Sequence, residues 1–249
     1  MNTTTLEQMR KMKFLGMFRA FKTSLESTQR EDSTPDELIA QLIQAEWDDR
    51  QNRTIEMKIK NARFRYKASI EQMYYSTDRN IDKNHMMRFN DCTFINKNEV
   101  IIITGCTGIG KSYIASAIGH HACGLGYRVL YQNVPKLFAK LKMAKADGSY
   151  IKEIAKIERQ QLLILDDFGM HPFDAQSRSA LMEIIEDRHG KGATIITSQV
   201  PVNMWHEVIG EKTVADAILD RIIHSAHRLE LTGESLRKKQ SNETEILTN

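Results

Sequence analysis

The 249-residue sequence predicts an α/β fold in which a parallel sheet lies between helices, preceded by a small all-helical N-terminal part. Three observations lead there. From Asn98 onward, short uninterrupted aliphatic runs alternate with helical stretches, the pattern of strands covered on both faces. A glycine-rich stretch follows the first of these runs directly. Residues 1 to about 75 instead carry apolar residues at helical spacing.

In the N-terminal part, Leu6, Met9, Phe14, Phe18, Phe21 and Leu25 gather one apolar face that needs a partner surface. A second helix starts where Thr34 can cap, Pro35 suits the first turn and Glu37 completes a capping box, with Leu38, Ile39, Leu42 and Ile43 as its apolar stripe. Past Trp47 the pattern turns basic, with Arg50, Arg53, Lys58, Lys60, Arg63, Arg65 and Lys67 interleaved with Phe64 and Tyr66. Such a run fits nucleic acid or an acidic partner. It equally fits a solvated helix face balanced by Glu46, Asp48, Asp49 and Glu56, and the charge pattern alone favours that second reading. Residues 76–97 read as a linker packed on the edge of the domain that follows.

The strands are expected at 100–103, 128–133, 162–166, 193–198 and 227–231. Between the first of them and a helical stretch lies GCTGIGKS, a full match to G-x-x-x-x-G-K-[ST]. Its glycines let successive N–H groups face phosphates while the next helix presents its positive end. Gly105, Cys106, Thr107, Gly108, Ile109, Gly110, Lys111, Ser112 and Tyr113 are therefore the nucleotide-binding candidates, with Lys111 reaching the β and γ phosphates and Ser112 ligating Mg²⁺. No N-K-x-D run reads guanine, so ATP is the expected nucleotide.

The third aliphatic run ends in two acids, LLILDDFG. Neighbouring side chains at a strand tip leave on opposite sides, which assigns them different tasks. Asp166 is expected to hold the Mg²⁺ shell, and Asp167 to orient or deprotonate the attacking water. With no phosphate loop upstream, two aspartates beside Gly169 would read as turn caps.

With the loop and the acids in place, LLILDDFG, ATIITSQVPVNMWHEVIGE, ADAILDRIIHSAHRLEL and TGESLRKK together resemble the AAA+ ATPases of the IstB type, helpers of insertion-sequence transposition related to DnaC-type helicase loaders. The resemblance covers most of the chain. It implies a P-loop AAA+ domain over residues 98–249, a helical partner-binding domain over 1–75, and a homo-oligomer with active sites between subunits. It implies that Ser198 or Gln199 senses the γ-phosphate, the Gln standing where many relatives have Asn. Arg221 would be an arginine finger reaching a neighbouring subunit, and Arg237 a second sensor. Few residues follow HRLEL, so the C-terminal lid is expected to be minimal or absent. Read without the family, Arg221 pairs with Asp220 on a helix surface and Arg237 belongs to a solvated basic tail.

Lys136, Lys140, Lys142 and Lys145 decorate a helix whose inner face holds Leu137, Leu141 and Ala144. Related ATPases contact DNA in this region, and lysines there would bind phosphates without reading sequence. A plain amphipathic surface helix is the rival. The formal net charge of +3 is too small to argue nucleic-acid binding in bulk.

Other signals are weaker. Cys92, Cys106 and Cys123 form no C-x-x-C pair, which argues for free thiols in a reducing compartment and against zinc. His120 and His121 diverge on a helix, and His224 and His227 lack an acidic or thiol companion, so all four read as structural. No stretch sustains the apolar run of a signal peptide or a membrane span, and a cytoplasmic location is expected.

The combined expectation is an ATP- and Mg²⁺-dependent ATPase that assembles on duplex DNA with little sequence preference. Its N-terminal helices would recruit or stimulate a transposase. A replicative helicase loader, a P-loop small-molecule kinase and a nearly non-hydrolysing ATP-dependent DNA scaffold are the alternatives.

Overall fold

A computed structural model describes residues 2–26, 34–73, 75, 79–224 and 226–236. The chain divides into two compact units, Met1–Met57 and Lys58–Asn249.

In the first unit, α1 (Asn2–Lys11) and α2 (Leu15–Glu26) divide between them the apolar residues expected of one segment, with Leu6, Met9, Phe18, Phe21 and Leu25 half-buried. They are separate helices because Lys13 adopts φ 61°, closing α1 with a Phe14 N–H bond to the Met9 carbonyl. α3 (Pro35–Ala62) begins with the expected capping box, Thr34 N–H to Glu37 Oε2 at 2.8 Å and Glu37 N–H to Thr34 Oγ1 at 3.3 Å. α2 approaches α3 at Gly16, where a Cβ would collide with the backbone of Ala45 and Glu46. Glu46, buried on α3, accepts from the Gly16 and Met17 N–H groups in the first turn of α2. Burial works to raise its pKa, but the Arg50 hydrogen bond and these two amides outweigh it and the net direction is down.

Much of the basic run is consumed inside the fold. Arg50 pairs with Glu46 at 2.7 Å and Arg53 with Asp49 at 2.7 Å. The expected α3 stripe divides: Leu38 and Leu42 are half-buried, whereas Ile39, Ile43 and Trp47 are exposed, Trp47 by 61%.

The second unit is a five-stranded parallel sheet: β1 (Val100–Gly105), β2 (Val129–Asn133), β3 (Leu162–Phe168), β4 (Ala193–Ser198) and β5 (His227–Leu231), in the order β2-β3-β4-β1-β5. Each coincides with an aliphatic run expected to be a strand. Alternate residues feed different cores: Ile101 and Ile103 of β1 face one side, Val100 and Ile102 the other.

The side of Ile101 is covered by α6 (Lys111–Gly124) and by the segment before β1. That segment holds α4 (Lys83–Met87) and α5 (Thr93–Asn96), and it buries Met86, Phe89, Phe94 and Ile95 as part of the core. Residues 79–97, read from sequence as a linker, thus form one wall of the domain. The opposite side is covered by α7 (Val134–Ala146), α8 (Tyr150–Glu158), α9 (Ala175–Arg188), α10 (Trp205–Ile209) and α11 (Lys212–Ile223). At the amino ends of the strands the buried Arg188 guanidinium donates to the carbonyls of Gln160 and Ala193, tying β3 to β4. Among the described residues, no helix is long and apolar enough to cross a membrane.

Candidate functional site

The strand order assembles the site. β3, β4 and β1 are neighbours, so their carboxyl ends bring the acid pair, the Ser198–Gln199 corner and the glycine-rich loop together where parallel sheets bind ligands.

The loop leaves β1 at Gly105 and enters α6 at Lys111. Gly108 and Gly110 take φ of 81° and 100°, which a side chain would strain, and a Cβ on Gly108 would collide with Ser235. Lys111 arches back so that Nζ donates to the carbonyls of Gly105 (2.6 Å) and Cys106 (2.8 Å). Its burial lowers its pKa against the opposing pull of Asp167 and Asp166. The Ile109 side chain is fully buried, leaving only its backbone to the loop, and its carbonyl accepts from the Arg79 guanidinium.

Asp166 has no exposed surface. Oδ1 accepts from Ser112 Oγ at 2.7 Å and from Thr197 Oγ1, and Oδ2 from the Tyr131 hydroxyl. Asp167 accepts on Oδ2 from Asn133 Nδ2 (2.8 Å) and Arg65 (3.2 Å), and its N–H donates to Thr197 Oγ1 (3.2 Å). The expectation that the two side chains leave on opposite sides is corrected here. β3 carries an irregularity between Leu165 and Phe168, and Asp167 adopts φ 60°. The irregularity cancels the alternation of a regular strand, so both carboxylates reach one guanidinium, Arg65 lying 3.6 Å from Asp166. Burial and the Asp166 charge raise the Asp167 pKa, with Arg65 and Lys111 acting against them.

Thr107, Gly108, Gly110, Lys111, Ser112 and Tyr113 line a cavity of about 590 Å³ together with Asp167 and Gln199. Gln199 Oε1 accepts from Thr107 Oγ1 at 2.6 Å. Ser198, by contrast, is fully buried, donating to the Phe168 carbonyl and accepting from Val200 N–H. Arg65, Tyr66, Met73, Arg79 and Ile81 complete the lining, Arg79 bonding the loop itself, and Leu236 closes an edge through its N–H bond to the Gly108 carbonyl. Sequence reading missed these residues, as it missed Tyr131, Asn133 and Thr197. The aromatic neighbours of Arg65 were the only local signal.

Other candidates lie outside the cavity. Arg221 on α11 pairs with Glu186 of α9 at 2.6 Å and donates to the Ala217 carbonyl. Arg237 lies outside the described residues. On α7, Leu137, Leu141 and Ala144 are buried as expected. Lys140 pairs with Glu153, Lys145 sits 4.8 Å from the Tyr150 ring centroid, and Lys136 and Lys142 are exposed. His120 and His121 donate separately to the Tyr66 and Asn90 carbonyls. His227 does have an acidic companion, Glu99 at 2.9 Å, which corrects the expectation that it lacks one.

Among the described residues, no group of three His, Cys, Asp or Glu could hold a metal alone. The Ser112–Asp166 pair at 2.7 Å supplies a hydroxyl and a carboxylate, the hard oxygen set to which Mg²⁺ binds when phosphates and water complete its shell.

The IstB-like ATP binding protein family profile matches residues 7–244. A putative insertion sequence ATP-binding protein of Sinorhizobium fredii is 41% identical over 236 residues, 95% of this chain and 96% of the relative. Among solved structures, AMPPCP-bound DnaA from Aquifex aeolicus gives a TM-score of 0.59 at 16% identity, covering 73% of this chain and 55% of that one. A DnaC helicase loader gives 0.55 at 19%, covering 67% and 98%. The structural likeness is one of fold, the P-loop α/β fold of AAA+ proteins. The family match spans both units and includes the phosphate loop with its paired acids, and on that ground the chain belongs to the IstB-like ATP-binding proteins.

Proposed function

We propose that this protein is a Mg²⁺-dependent ATPase that assembles as a homo-oligomer on duplex DNA and recruits or stimulates a transposase for insertion-sequence transposition. The observation that carries hydrolysis is the arrangement of the acid pair. Asp166 is fully buried against Ser112, while Asp167, one residue on, faces the cavity that the phosphate loop lines. When bound, Mg²⁺ held by Ser112 and Asp166 would neutralise charge on the β and γ phosphates.

The chain's own residues do the rest. The loop N–H groups and Lys111 bind the phosphates. Asp167 accepts the proton of the attacking water or orients it, and its raised pKa brings it nearer the range useful to a base. Gln199, facing the cavity beside Thr107, is the better placed sensor, because both hydrogen-bonding roles of Ser198 are already taken. Arg221 serves as the finger, exchanging Glu186 for the nucleotide of an adjacent subunit. Arg237 is assigned as the second sensor from the family pattern alone.

DNA binding rests on Lys136, Lys142 and their neighbours Lys140 and Lys145 along α7. Transposase recruitment rests on the exposed Ile39, Ile43 and Trp47 of the first unit, and on the insertion-sequence names of the relatives. A cytoplasmic location follows from this role.

The test follows ATPase rate and oligomer size with and without duplex DNA, for wild type and Arg221→Ala. DNA-stimulated hydrolysis that Arg221→Ala lowers roughly a hundredfold or more supports the reading. Normal hydrolysis by that variant in the DNA-bound oligomer removes the finger, and phosphoryl transfer to a small acceptor by a monomer would favour a kinase.

A further inference from the structure

The acid pair is bridged by a cation that no motif announces. Arg65 comes from the segment after α3, and three contacts hold that segment on α6, the helix that leads out of the phosphate loop. The Phe64 ring stacks on His120 with centroids 4.2 Å apart. The Tyr66 carbonyl accepts from the His120 ring at 3.1 Å. The Tyr66 ring lies 6.4 Å from that of Tyr113, three residues after Gly110. Gly119 makes the seat possible, since a Cβ there would collide with the Phe64 ring and Ile164. Arg65 is therefore bracketed on both sides by anchors belonging to the same helix as Lys111 and Ser112.

Its guanidinium lies 5.5 Å from the Tyr66 ring centroid and reaches Asp167 at 3.2 Å and Asp166 at 3.6 Å, while 44% of the side chain is exposed. Among the described residues, the three cations that line the cavity are not equivalent. Lys111 is committed to loop carbonyls, and Arg79 is buried against the Ile109 carbonyl. Arg65 is paired with the two carboxylates that a metal-bound triphosphate needs, so nucleotide binding puts it in competition. With Asp166 and Ser112 holding Mg²⁺ and Asp167 holding water, a planar donor beside them would have the γ-phosphate oxygens as acceptors. A diphosphate would offer none at that place and would leave Arg65 on Asp167.

We propose that Arg65 is a specificity-determining residue that recognises the γ-phosphate from within the same subunit, setting the preference for ATP over ADP. The proposal rests on the cavity being the nucleotide site. It separates two roles: Lys111 and the loop bind any nucleotide with a β-phosphate, and Arg65 reports whether a third phosphate is present.

The experiment measures equilibrium affinity for ATP and for ADP, each with Mg²⁺, by displacement of a fluorescent nucleotide. It uses the full chain as wild type, Arg65→Ala, Arg65→Lys and Lys111→Ala. Arg65→Ala is expected to narrow the ATP-to-ADP preference about tenfold with ADP affinity nearly unchanged, one charge-assisted bond being lost. Arg65→Lys should recover part of it, because charge remains without the fork. An Arg65 that merely neutralises the acids would shift both affinities alike, and an unchanged ratio overturns the proposal. Circular dichroism of each variant shows whether the fold is retained. If Arg65→Ala does not fold, Arg65→Lys alone decides, an unchanged ratio again refuting the assignment. Failure of the wild type to bind either nucleotide would instead reject the cavity as the nucleotide site.

Discussion

The two walls of the cavity are built from different material. The loop wall is backbone: positive-φ glycines, a helix N-terminus and carbonyls that hold Lys111. The other wall is side chain, with Arg65, Tyr66, Met73 and Ile81 standing at positions outside helices and strands. A backbone wall would offer every nucleotide the same N–H groups and bind phosphate without asking which ligand carries it. A side-chain wall can discriminate, because its charges and rings have alternative partners. Asp167 is where the walls meet, taking Arg65 from one side while it neighbours the loop on the other.

The largest expected effect lies at that junction. Asp167→Asn should lower ATP hydrolysis roughly a hundredfold or more while ATP affinity changes little, as removal of a base predicts. Turnover and binding measured on one preparation check this, and undiminished turnover would remove Asp167 from the chemistry. The same residue sets a pH dependence. Its pKa is raised above the ordinary 3.8, so if Asp167 is the base, hydrolysis should fall off as pH drops through a value higher than that. Arg65 acts to lower that pKa in the nucleotide-free protein, so in Arg65→Ala the acid limb of kcat/KM, which reports the free enzyme, should move to higher pH. A limb of kcat/KM that stays put would mean the guanidinium does not reach Asp167 before nucleotide binds. The stability sign is the reverse of the usual salt-bridged acid. A raised carboxylate pKa makes the ionised form a net cost above the ordinary value, so at neutral pH Asp167→Asn should not lower the melting temperature.

A smaller effect tests how the side-chain wall is seated. Gly119→Ala would push on Phe64 and Ile164, and overpacking of that kind costs about 1–3 kcal/mol. Calorimetry should show the loss of stability. ATP-to-ADP preference should fall with it, since Arg65 adjoins Phe64. Stability lost with the preference intact would show the two walls to be independent.

How far each wall was legible in the sequence follows from its material. The loop is contiguous, so eight residues between an aliphatic run and a helical stretch announce it, and the five strands are announced by runs of the same local kind. The acids at the tip of β3 were legible as a pair. Their convergence was not, because it depends on the irregularity after Leu165 and on a positive φ at a non-glycine residue. Arg65 stands 102 residues from Asp167 in sequence, inside a basic run whose spacing says nothing of what each charge meets. That run proves heterogeneous: Arg50 and Arg53 serve the first unit, Lys58 bonds the Gly126 carbonyl, and Arg65 faces the acids. Likewise Leu38 and Ile39 share a helical stripe in sequence, yet only the former is half-buried.

The smallest expected effect probes the loop at its cysteine. Cys106 is an exposed free thiol inside the loop, while Cys92 and Cys123 are buried with thiols pushed up to about 11 and about 12. Its known work is done by its carbonyl, which accepts from Lys111 Nζ at 2.8 Å. Cys106→Ser keeps that carbonyl, the side-chain volume and the backbone preferences of a small polar residue. ATP affinity should therefore stay within about twofold of wild type, as for a surface substitution that removes no contact. Titration of the two proteins side by side decides it. A tenfold loss would mean that the sulfur itself touches nucleotide, and the loop would then discriminate through a side chain as the other wall does.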